Sequence, residues 1–397
     1  MATGETGTGA RLGADDDRSR TVASRDNRFI TEIFDGADEA LAALEVIESG
    51  LLSTGFQTRD WLTVLYEELA ATRRALPRLV VVSDRERDEA VLAFPLVIAK
   101  EGLLRVANFA DLGVTDYGGP MLSREPLSDR QLIRGIWRSV RAAMWDVDLI
   151  RLNRMPAEIG GRPNPLLNLF GSAPSSVSSR QLVLPGSFAS YLQSLEKKHR
   201  KDVERCYRLW EAEGNPRFYR ATTDDEIAHV FATLEEQQAV WHAAHGTEDA
   251  LAEPPIRAFY ERLAFDGADA GLTALFALEA GGRIAAIVFG LLHDGTFTLL
   301  RISTGGEQWS HLSPGRLVVL ETVKHLVGQG VHRFDMGVHS DPLKQAFGTE
   351  GIPLYDLVTA QDVTALPKAL VHEIAVHFRA GRSLRSALKK AMQPLAG

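Results

Sequence analysis

The sequence repeats itself at an interval of 194 residues, and this repeat limits the fold more than any other feature. The segment Tyr-Glu-Glu-Leu-Ala at 66–70 recurs as Tyr-Glu-Arg-Leu-Ala at 260–264. Similar apolar runs and turn residues follow both copies in the same order. An interval of this length is that of a domain and far exceeds the roughly 20–50 residues of solenoid repeats. The chain is therefore predicted to consist of two related halves.

Both halves are predicted to follow one order, helix–helix–strand–strand–strand–helix–strand. Helical periodicity and caps predict helices at 38–48, 60–71 and 128–145 in the first half and at 223–241, 255–265 and 313–327 in the second. Apolar runs between turns predict strands at 79–82, 91–98, 103–106 and 149–152, and again at 275–278, 284–292, 297–302 and 333–337. This order predicts an α/β (α+β) fold of two tandem domains, each a mixed, mostly antiparallel sheet flanked by helices.

The domain limits follow from composition and from the repeat. Residues 1–27 are rich in Gly, Thr, Asp and Arg, lack the apolar core of a secretory signal and are predicted to be disordered. The two domains are predicted to span 28–180 and 181–362. Residues 363–397 combine apolar residues at helical spacing with later cations, which predicts a basic amphipathic helix. Such a helix makes a peripheral membrane or protein contact, or docks on its own domain.

The bulk composition excludes several classes of protein. Of the 397 residues, 45% are hydrophobic and 24% are charged, as in soluble globular proteins. The net charge of -8 argues against broad nucleic-acid binding. Cys206 is the only cysteine, so neither an intrachain disulfide nor a cysteine-rich metal site is expected, and the spacing places it in the core. No apolar run approaches a membrane span. These features predict a cytoplasmic protein without a metal.

One short segment of the second half has the character of a phosphate site. Ser313 is a good helix N-cap, Pro314 suits the first helical position, and Gly315 leaves the first-turn amides open to approach. With Arg316 beside it, this positive helix end suits a phosphate or pyrophosphate. Asp335 lies near the end of the next predicted strand. The alternative is a plain α/β crossover in which Ser-Pro-Gly only starts a helix.

With this layout, the sequence resembles the GNAT N-acetyltransferase superfamily, and most of all its tandem-GNAT, CelD/BcsL-type branch, which is related to the FemABX peptidyltransferases. The resemblance covers roughly residues 30–360. It rests on the basic segment 195–205, Leu234 to Trp241, Arg-Ile-Ala-Ala at 283–286, Ser-Pro-Gly at 313–315, Phe-Asp-Met-Gly at 334–337 with Lys344 and Phe347, and Asp-Tyr-Gly-Gly-Pro at 116–120.

The resemblance implies an acyl-CoA co-substrate, acetyl-CoA or another, bound by Ser313, Pro314, Gly315 and Arg316. The superfamily's usual Gln/Arg-x-x-Gly-x-Gly/Ala turn is absent, and this segment occupies its place.

Asp335, His339 and Lys344 are the candidate catalytic residues. Asp335 could orient the acceptor amine or act as its base, or could only cap the following turn. His339 titrates in a useful range, although a lone loop histidine is often simply exposed. Lys344 could bind phosphate or an acceptor carboxylate, or could be a surface lysine.

Four residues are candidates for acceptor binding. Trp241 and His242 end a helix that should border the cleft in this fold, although packing alone also explains Trp241. Arg200 belongs to the basic segment and Tyr117 to the Asp-Tyr-Gly-Gly-Pro motif. The basic helix that includes Lys197 and Lys201 predicts either an anionic partner or a solvated face neutralised by its own acidic residues.

These features predict an acyl-CoA-dependent N-acyltransferase. Its acceptor would be an amino-bearing small molecule or a polysaccharide or cell-envelope precursor, met in a cleft between the halves. One alternative is a FemABX-like peptidyltransferase that uses aminoacyl-tRNA, which the acidic balance disfavours. Another is a non-catalytic accessory protein of polysaccharide biosynthesis that keeps the fold without the chemistry.

Overall fold

A computed structural model of the chain describes residues 20–23, 28–338 and 342–369. The helices are α1 Ala37–Ile47, α2 Arg59–Leu65, α3 Arg130–Ala143, α4 Phe188–Ser194, α5 Lys197–Ala212, α6 Asp224–His245, α7 Pro254–Asp269, α8 Pro314–Gly328 and α9 Pro342–Ala346. The strands of the first half are β1 Arg20–Ala23, β2 Phe29–Asp35, β3 Leu51–Leu52, β4 Leu76–Asp84, β5 Glu89–Glu101, β6 Leu104–Phe109, β7 Met121–Ser123, β8 Leu149–Pro156, β9 Glu158–Ile159, β10 Arg162–Pro163 and β11 Ser172–Val183. Those of the second are β12 Arg217–Arg220, β13 Thr273–Ala280, β14 Arg283–His293, β15 Thr296–Thr304, β16 Arg333–Val338 and β17 Glu350–Ala360.

Among the described residues, one mixed sheet of 15 strands runs through both halves. Its main path is β1-β2-β4-β5-β6-β8-β17-β11-β16-β15-β14-β13-β12. Read inward from either edge, β2-β4-β5-β6-β8 corresponds to β12-β13-β14-β15-β16. In both halves the first three neighbouring pairs are antiparallel, and the last pair, β6–β8 or β15–β16, is parallel. The predicted duplication and the mixed, mostly antiparallel sheets are confirmed.

The two halves exchange their final strands at the centre of the sheet. β11 leaves the first half and pairs with β16 of the second, while β17 pairs with β8 of the first. The two exchanged strands also pair with each other. The predicted boundary between residues 180 and 181 falls inside β11. Because each sheet is completed by a strand from the other half, the halves form one continuous scaffold around their junction.

Helices cover both faces of this sheet. α3 packs on the outer face of the first half and α8 on that of the second, where their apolar sides meet alternate strand residues. The opposite face carries α1, α2, α6 and α7, whose buried side chains form one cluster spanning both halves. This shared cluster holds the halves together. Cys206 is buried in the α8-side core, as its spacing predicted.

Two local predictions need correction. The N-cap of α3 is Asp129 rather than Ser128, because the Asp129 carboxylate accepts from the backbone N–H groups of Gln131 and Leu132. The second opening helix continues after Leu65 as a π-helical turn over Tyr66–Ala70. That turn is the copy of the repeat in the first half, whereas the second copy lies in the regular helix α7.

The predicted tails are only partly within the described residues. In the predicted N-terminal tail, Arg20–Ala23 forms the edge strand β1, antiparallel to β2. At the other end, a short helical turn at Val363–Ala365 follows β17, and Ala365 is buried. The predicted amphipathic helix beyond residue 369 lies outside the described residues. In the part of the chain that is described, no helix has the length and apolarity needed to cross a membrane.

Candidate active site

The parallel strands β15 and β16 separate from each other partway along their length. They pair only from Thr296 to Thr298 and from Arg333 to Asp335. Beyond this point β15 continues to Thr304 and β16 to Val338 without pairing with each other, while β15 stays paired with β14 and β16 with β11. A bulge in β15 opposite Phe289 and Gly290 adds one residue where the strands part. The result is a groove in the sheet whose apex lies at Thr298 and Asp335.

The helix α8 begins at the open end of this groove. A Cβ added at Gly315 would lie only 3.3 Å from Thr304 Cγ2, so the first turn of α8 touches the end of β15. Ser313 occupies the N-cap position and Pro314 the first turn, as predicted. The prediction that the Ser313 hydroxyl caps the helix is wrong. Its backbone is left-handed (φ 55°), and its side chain accepts no first-turn hydrogen bond.

The start of α8 therefore has no side-chain cap. The Ser313 carbonyl accepts from the N–H groups of Arg316 at 2.9 Å and Leu317 at 3.2 Å. The Arg316 guanidinium lies 3.8 Å from the Asp202 carboxylate, which makes a loose ion pair. The Arg316 side chain is 23% exposed. An uncapped helix start beside an arginine keeps the positive end of the helix dipole available to an anion.

A buried polar cluster lies at the apex of the groove. Asp335 is completely buried and accepts hydrogen bonds from Ser179 Oγ at 2.6 Å, Gln181 Nε2 at 2.8 Å and the Gly337 backbone N–H at 2.8 Å. Ser179 and Gln181 belong to the exchanged strand β11. Burial raises the pKa of Asp335, and these donors oppose that shift. The exchange of strands thus supplies two of the partners that hold this carboxyl in place.

Tyr117 brings the first half of the chain to the same point. Its buried hydroxyl donates a hydrogen bond to Asp335 and accepts one from Thr298. Burial is the main reason that its pKa is raised well above the usual value, with the nearby Asp335 carboxylate adding to the effect. Tyr117 is therefore a neutral hydroxyl at physiological pH.

The neighbouring Asp116 reaches into the separated part of the strands. Its Oδ2 accepts from the Val338 backbone N–H at 3.3 Å. Gly337 has a φ of 78°, and a Cβ there would overlap Asp116 Oδ2, so this position accommodates only glycine. Asp116 is half-buried, unlike Asp335 beside it. A carboxylate from the first half thus stands at the groove of the second.

A cavity of about 330 Å³ adjoins this cluster between the two halves. Tyr117, Ser179, Gln181 and Thr298 line its inner end. Ser53 of the first half and His293 of the second meet across it, with Oγ and Nε2 3.3 Å apart. Burial lowers the pKa of His293, so this histidine is mainly neutral at pH 7.

The other predicted catalytic residues lie beyond the end of β16. Lys344 on α9 turns back toward the strand and donates from Nζ to the Val338 carbonyl at 2.9 Å. It therefore lies next to the strand residue whose N–H binds Asp116. His339 lies outside the described residues. Within those residues, no three histidine, cysteine, aspartate or glutamate side chains are close enough together to hold a metal ion.

Three residues predicted to bind the acceptor lie away from this cluster. Arg200 donates to the carbonyls of Gln193 and Leu195 at 2.8 Å each and so closes the end of α4. Trp241 is 47% exposed and stacks on His245 with ring centroids 4.2 Å apart. His242 lies 2.7 Å from Thr247 Oγ1 at the end of α6. Of the four predicted residues, only Tyr117 contacts Asp335.

Several residues of the site were not predicted from the sequence. These are Asp116, Ser179, Gln181 and Thr298. Asp116 lies in the Asp-Tyr-Gly-Gly-Pro motif, from which the sequence predicts a role only for its neighbour Tyr117. Ser179 and Gln181 lie on β11, a strand whose polar sequence gives no alternating apolar signal. Only the exchange of strands brings them to Asp335.

Comparisons with known proteins fit this architecture. Residues 197–345 match the family model described as an acetyltransferase (GNAT) domain. The second half of the chain is therefore a GNAT domain, as predicted, and the class of enzyme that it defines is an acyltransferase. No curated protein matches the sequence.

Solved structures resemble the chain over nearly its whole described length. A structure described as FemX has 12% sequence identity and a TM-score of 0.56, covering 83% of this chain and 98% of its own. A conserved protein of unknown function from Bacteroides thetaiotaomicron VPI-5482 has 11% identity and a TM-score of 0.51, covering 81% of this chain and 97% of its own. At these identities the likeness concerns the fold, and it extends across both halves.

Proposed function

We propose that the protein is an acyl-CoA-dependent N-acyltransferase whose donor lies in the groove between β15 and β16. The observation that carries this proposal is the uncapped start of α8 at the open end of that groove. Pro314 has no N–H, and the N–H groups of Arg316 and Leu317 donate to the Ser313 carbonyl. The Gly315 N–H, with the Arg316 side chain beside it, would therefore bind the donor pyrophosphate. The donor's acyl-bearing arm would then run along β15 toward the apex.

The length of the groove suits such a donor. Six residues separate Thr304, beside the start of α8, from Thr298 at the apex. At a rise of about 3.3 Å per residue this is roughly 20 Å, which is long enough for an extended pantetheine arm. The bulged residue of β15 lies within this stretch and interrupts the ladder there. A backbone N–H released by the bulge would face the thioester carbonyl and stabilise its developing charge.

The cavity between the halves would hold the acceptor amine. The amine nitrogen attacks the thioester carbonyl carbon, the carbon–sulfur bond breaks, and the CoA thiolate leaves. Asp116, half-buried at the groove, would take the proton that the amine loses. Asp335 is fully buried, and both of its carboxylate oxygens accept hydrogen bonds. It would therefore act as a positioning residue for Tyr117 and the backbone of β16. Through its hydrogen bond to the Val338 carbonyl, Lys344 would hold the Val338 backbone in place and so stabilise the hydrogen bond between the Val338 N–H and Asp116.

The acceptor is proposed to be an amino sugar, an amino acid or an amine-bearing precursor of a polysaccharide or the cell envelope. A cavity of about 330 Å³ lined by polar side chains suits a small polar molecule or the end of a larger one. We place the reaction in the cytoplasm because acyl-CoA donors are made and used there. An aminoacyl-tRNA donor and a non-catalytic role are the competing hypotheses.

Titration calorimetry of the full chain with acetyl-CoA, a longer acyl-CoA and free CoA tests the donor site. Gly315→Asp places a carboxylate where the phosphates should bind, at a helix position that tolerates acidic residues. We expect it to weaken acetyl-CoA binding at least about tenfold. Gly315→Ala is the matched control for size and should bind within a fewfold of wild type.

The possible outcomes separate the hypotheses. If wild type binds none of the three ligands, the acyl-CoA proposal is wrong, and binding of aminoacyl-tRNA would then support the peptidyltransferase alternative. If Gly315→Asp binds acetyl-CoA as well as wild type, acyl-CoA remains the donor but its phosphates bind elsewhere.

Release of the CoA thiol in the presence of amino sugars and amino acids tests the proposed base. Asp116→Asn keeps the shape and the hydrogen bond to Val338 but cannot accept the proton. We expect kcat to fall about 100-fold or more with little change in the KM for acetyl-CoA. An Asp116→Asn enzyme with normal kcat would remove Asp116 from the mechanism.

A further inference from the structure

The outward face of α3 carries a row of arginines without acidic partners. Arg130, Arg134 and Arg138 are exposed, and Arg141 is half-buried. None of the four lies within ion-pair distance of a carboxylate among the described residues. Arg141 instead donates to Gln361 Oε1 at 2.7 Å and to the Ala360 carbonyl at 3.1 Å. In a chain of net charge -8, this is a local basic surface, although Asp148 and Asp362 line a pocket with Arg138 and Arg141 at one end of it.

An apolar groove of about 820 Å³ runs beside the same arginines. Its walls come from α3, from β17 and from the residues after β17. Leu169, Val358 and Leu366 supply aliphatic surface, and Phe170 stands at its edge. Phe170 is 89% exposed and Leu366 is 54% exposed. Large apolar side chains placed in water beside cations are typical of surfaces that meet a partner.

The matching position in the second half is covered by protein. There, α4 and α5 follow the exchanged strand β11 and pack against α8. In the first half the exchanged strand is β17, and the described chain ends at Ala369 on the rim of the groove. Among the described residues, helices therefore cover the outer helix of the second half, whereas the corresponding surface beside α3 in the first half is an open groove.

We propose that this surface, formed by the α3 arginines and the groove beside them, binds the surface of an anionic phospholipid membrane. Exposed arginines suit phosphate headgroups, and an aliphatic groove with a protruding phenylalanine suits acyl chains. The inference does not depend on the proposed acyl transfer.

The chain's own C-terminal segment is a poorer occupant. Residues 370–397 contain five Lys or Arg residues and one acidic residue, Glu373. Docking that segment in the groove would bring further positive charge onto the α3 arginines. Nucleic acid would match the charge but not the aliphatic groove. An anionic bilayer accommodates both the arginines and the apolar side chains.

Flotation of the full-length protein with lipid vesicles tests the proposal. We expect binding to vesicles of phosphatidylglycerol and phosphatidylcholine, little binding to phosphatidylcholine alone, and a decline in binding with added salt. The double variant Arg134→Glu and Arg138→Glu should lose affinity by at least about 30-fold. Phe170→Ser, which keeps every charge, should lose affinity about fivefold through reduced apolar burial.

A matched control places the same change of charge elsewhere. Lys197 and Lys201 are exposed on α5, and Lys197→Glu with Lys201→Glu should bind vesicles as wild type does. Equal losses in both double variants would mean that only net charge matters and would overturn the proposal. Failure of wild type to bind anionic vesicles, or equal affinity for neutral ones, would also overturn it. So would binding of total tRNA that competes fully with the vesicles and is abolished by the same arginine substitutions.

Discussion

The crossover helices of the two halves begin in different ways, although each leads into the strand that pairs in parallel, β8 or β16. Before α3, the Asp129 carboxylate accepts from the N–H groups of Gln131 at 2.7 Å and Leu132 at 3.3 Å. Before α8, the Ser313 hydroxyl makes no such bond. A carboxylate at the cap occupies the first-turn amides and repels other anions. Of the two crossover helices, only α8 therefore starts without a carboxylate that would repel a phosphate.

A second difference lies at the third register position of the parallel strands in each half. In the first half Asn108 faces Arg151, and in the second Thr298 faces Asp335. Arg151 bonds to Asn108 at 2.8 Å and pairs with Glu101 on a part of the surface where its side chain is 31% exposed. Asp335 is fully buried. The duplicated scaffold has kept its strand register, and at this register position only the second half buries a carboxyl.

A third difference concerns the core beneath the outer helix. In the first half, the last residue of β2, Asp35, pairs with Arg78 of β4. In the second half, the last residue of β12, Arg220, pairs with Phe276 of β13. Arg78 is 1% exposed and bonds to Asp35 and Asp146 at 2.5–3.0 Å, whereas Phe276 lies among aromatic rings. One half thus fills this position with a buried ion cluster and the other with apolar packing. The same backbone accommodates both arrangements, because the buried charge of Arg78 is paired and the buried ring of Phe276 is packed against other rings.

Among the substitutions that test this comparison, Arg78→Met should cause the largest loss of unfolding free energy. Removing the arginine leaves Asp35 without this ion pair and takes one of its cations from the buried Asp146, which also pairs with Arg105 at 3.1 Å. This should lower the free energy of unfolding by about 3–5 kcal/mol. Urea denaturation would measure it. The counterpart change Phe276→Leu should cost only about 1 kcal/mol, since it shortens an apolar side chain without stranding a charge. Equal effects of the two variants would show that the ion cluster is not the special feature of the first half.

Asp335→Asn should have the next largest effect. The neutral amide presents a donor where Ser179, Gln181, Gly337 and Tyr117 all need an acceptor, so about 1–3 kcal/mol of unfolding free energy should be lost. The counterpart Arg151→Gln removes a partly exposed ion pair and should cost no more than about 1 kcal/mol. If Arg151→Gln were the more damaging change, the buried cluster would not be what fixes the centre of the sheet.

The sequence predicted the features of the fold that depend on local patterns. The repeat, the seven-element order of each half and the position of Ser313 at a helix start all follow from apolar period and turn residues, and the structure has them. It did not predict the exchange of β11 and β17. A strand completes a distant sheet through contacts far apart in sequence, and no local period encodes which partner it takes.

The site shows the same limit. The motifs that contain Asp335 and Tyr117 predict a functional role for both, and the structure brings the two residues into contact. The same kind of signal predicts a role for Arg200 and Trp241, yet they lie at helix ends away from the groove. The Ser313 residue type favoured a capping hydroxyl, but the left-handed backbone there turns the side chain away. A residue type indicates what a side chain can do, and the tertiary fold decides what it meets.

The two halves should also differ in their response to acid. His325 on α8 is half-buried against Phe276, and burial lowers its pKa, with Arg220 adding to the effect. The unfolded chain then binds more protons than the folded one once the pH falls below the ordinary histidine value of 6.5. The stability is therefore intact above about pH 6.5 and decreases as the pH falls below it.

Denaturation of wild type and His325→Gln between pH 7.5 and about pH 5 would measure this contribution. The free energy of unfolding of the variant should fall less steeply as the pH is lowered. The difference in slope should correspond to at most one proton, the one that His325 binds. His293 should add a similar slope, because burial lowers its pKa too. If the slope is unchanged in His325→Gln, the histidine does not titrate differently in the folded and unfolded chains.

The smallest effect concerns the two helix caps. Asp129→Ala removes a carboxylate that accepts two first-turn hydrogen bonds of α3 and should cost about 1 kcal/mol. Ser313→Ala removes a hydroxyl that caps nothing, so thermal and urea denaturation should find a change of no more than a few tenths of a kcal/mol. Ser313→Gly should even stabilise slightly, because glycine adopts the left-handed backbone without strain. A full capping cost for Ser313→Ala would mean that its hydroxyl closes the α8 amides in solution, and the start of α8 would then be no more open to a phosphate than that of α3.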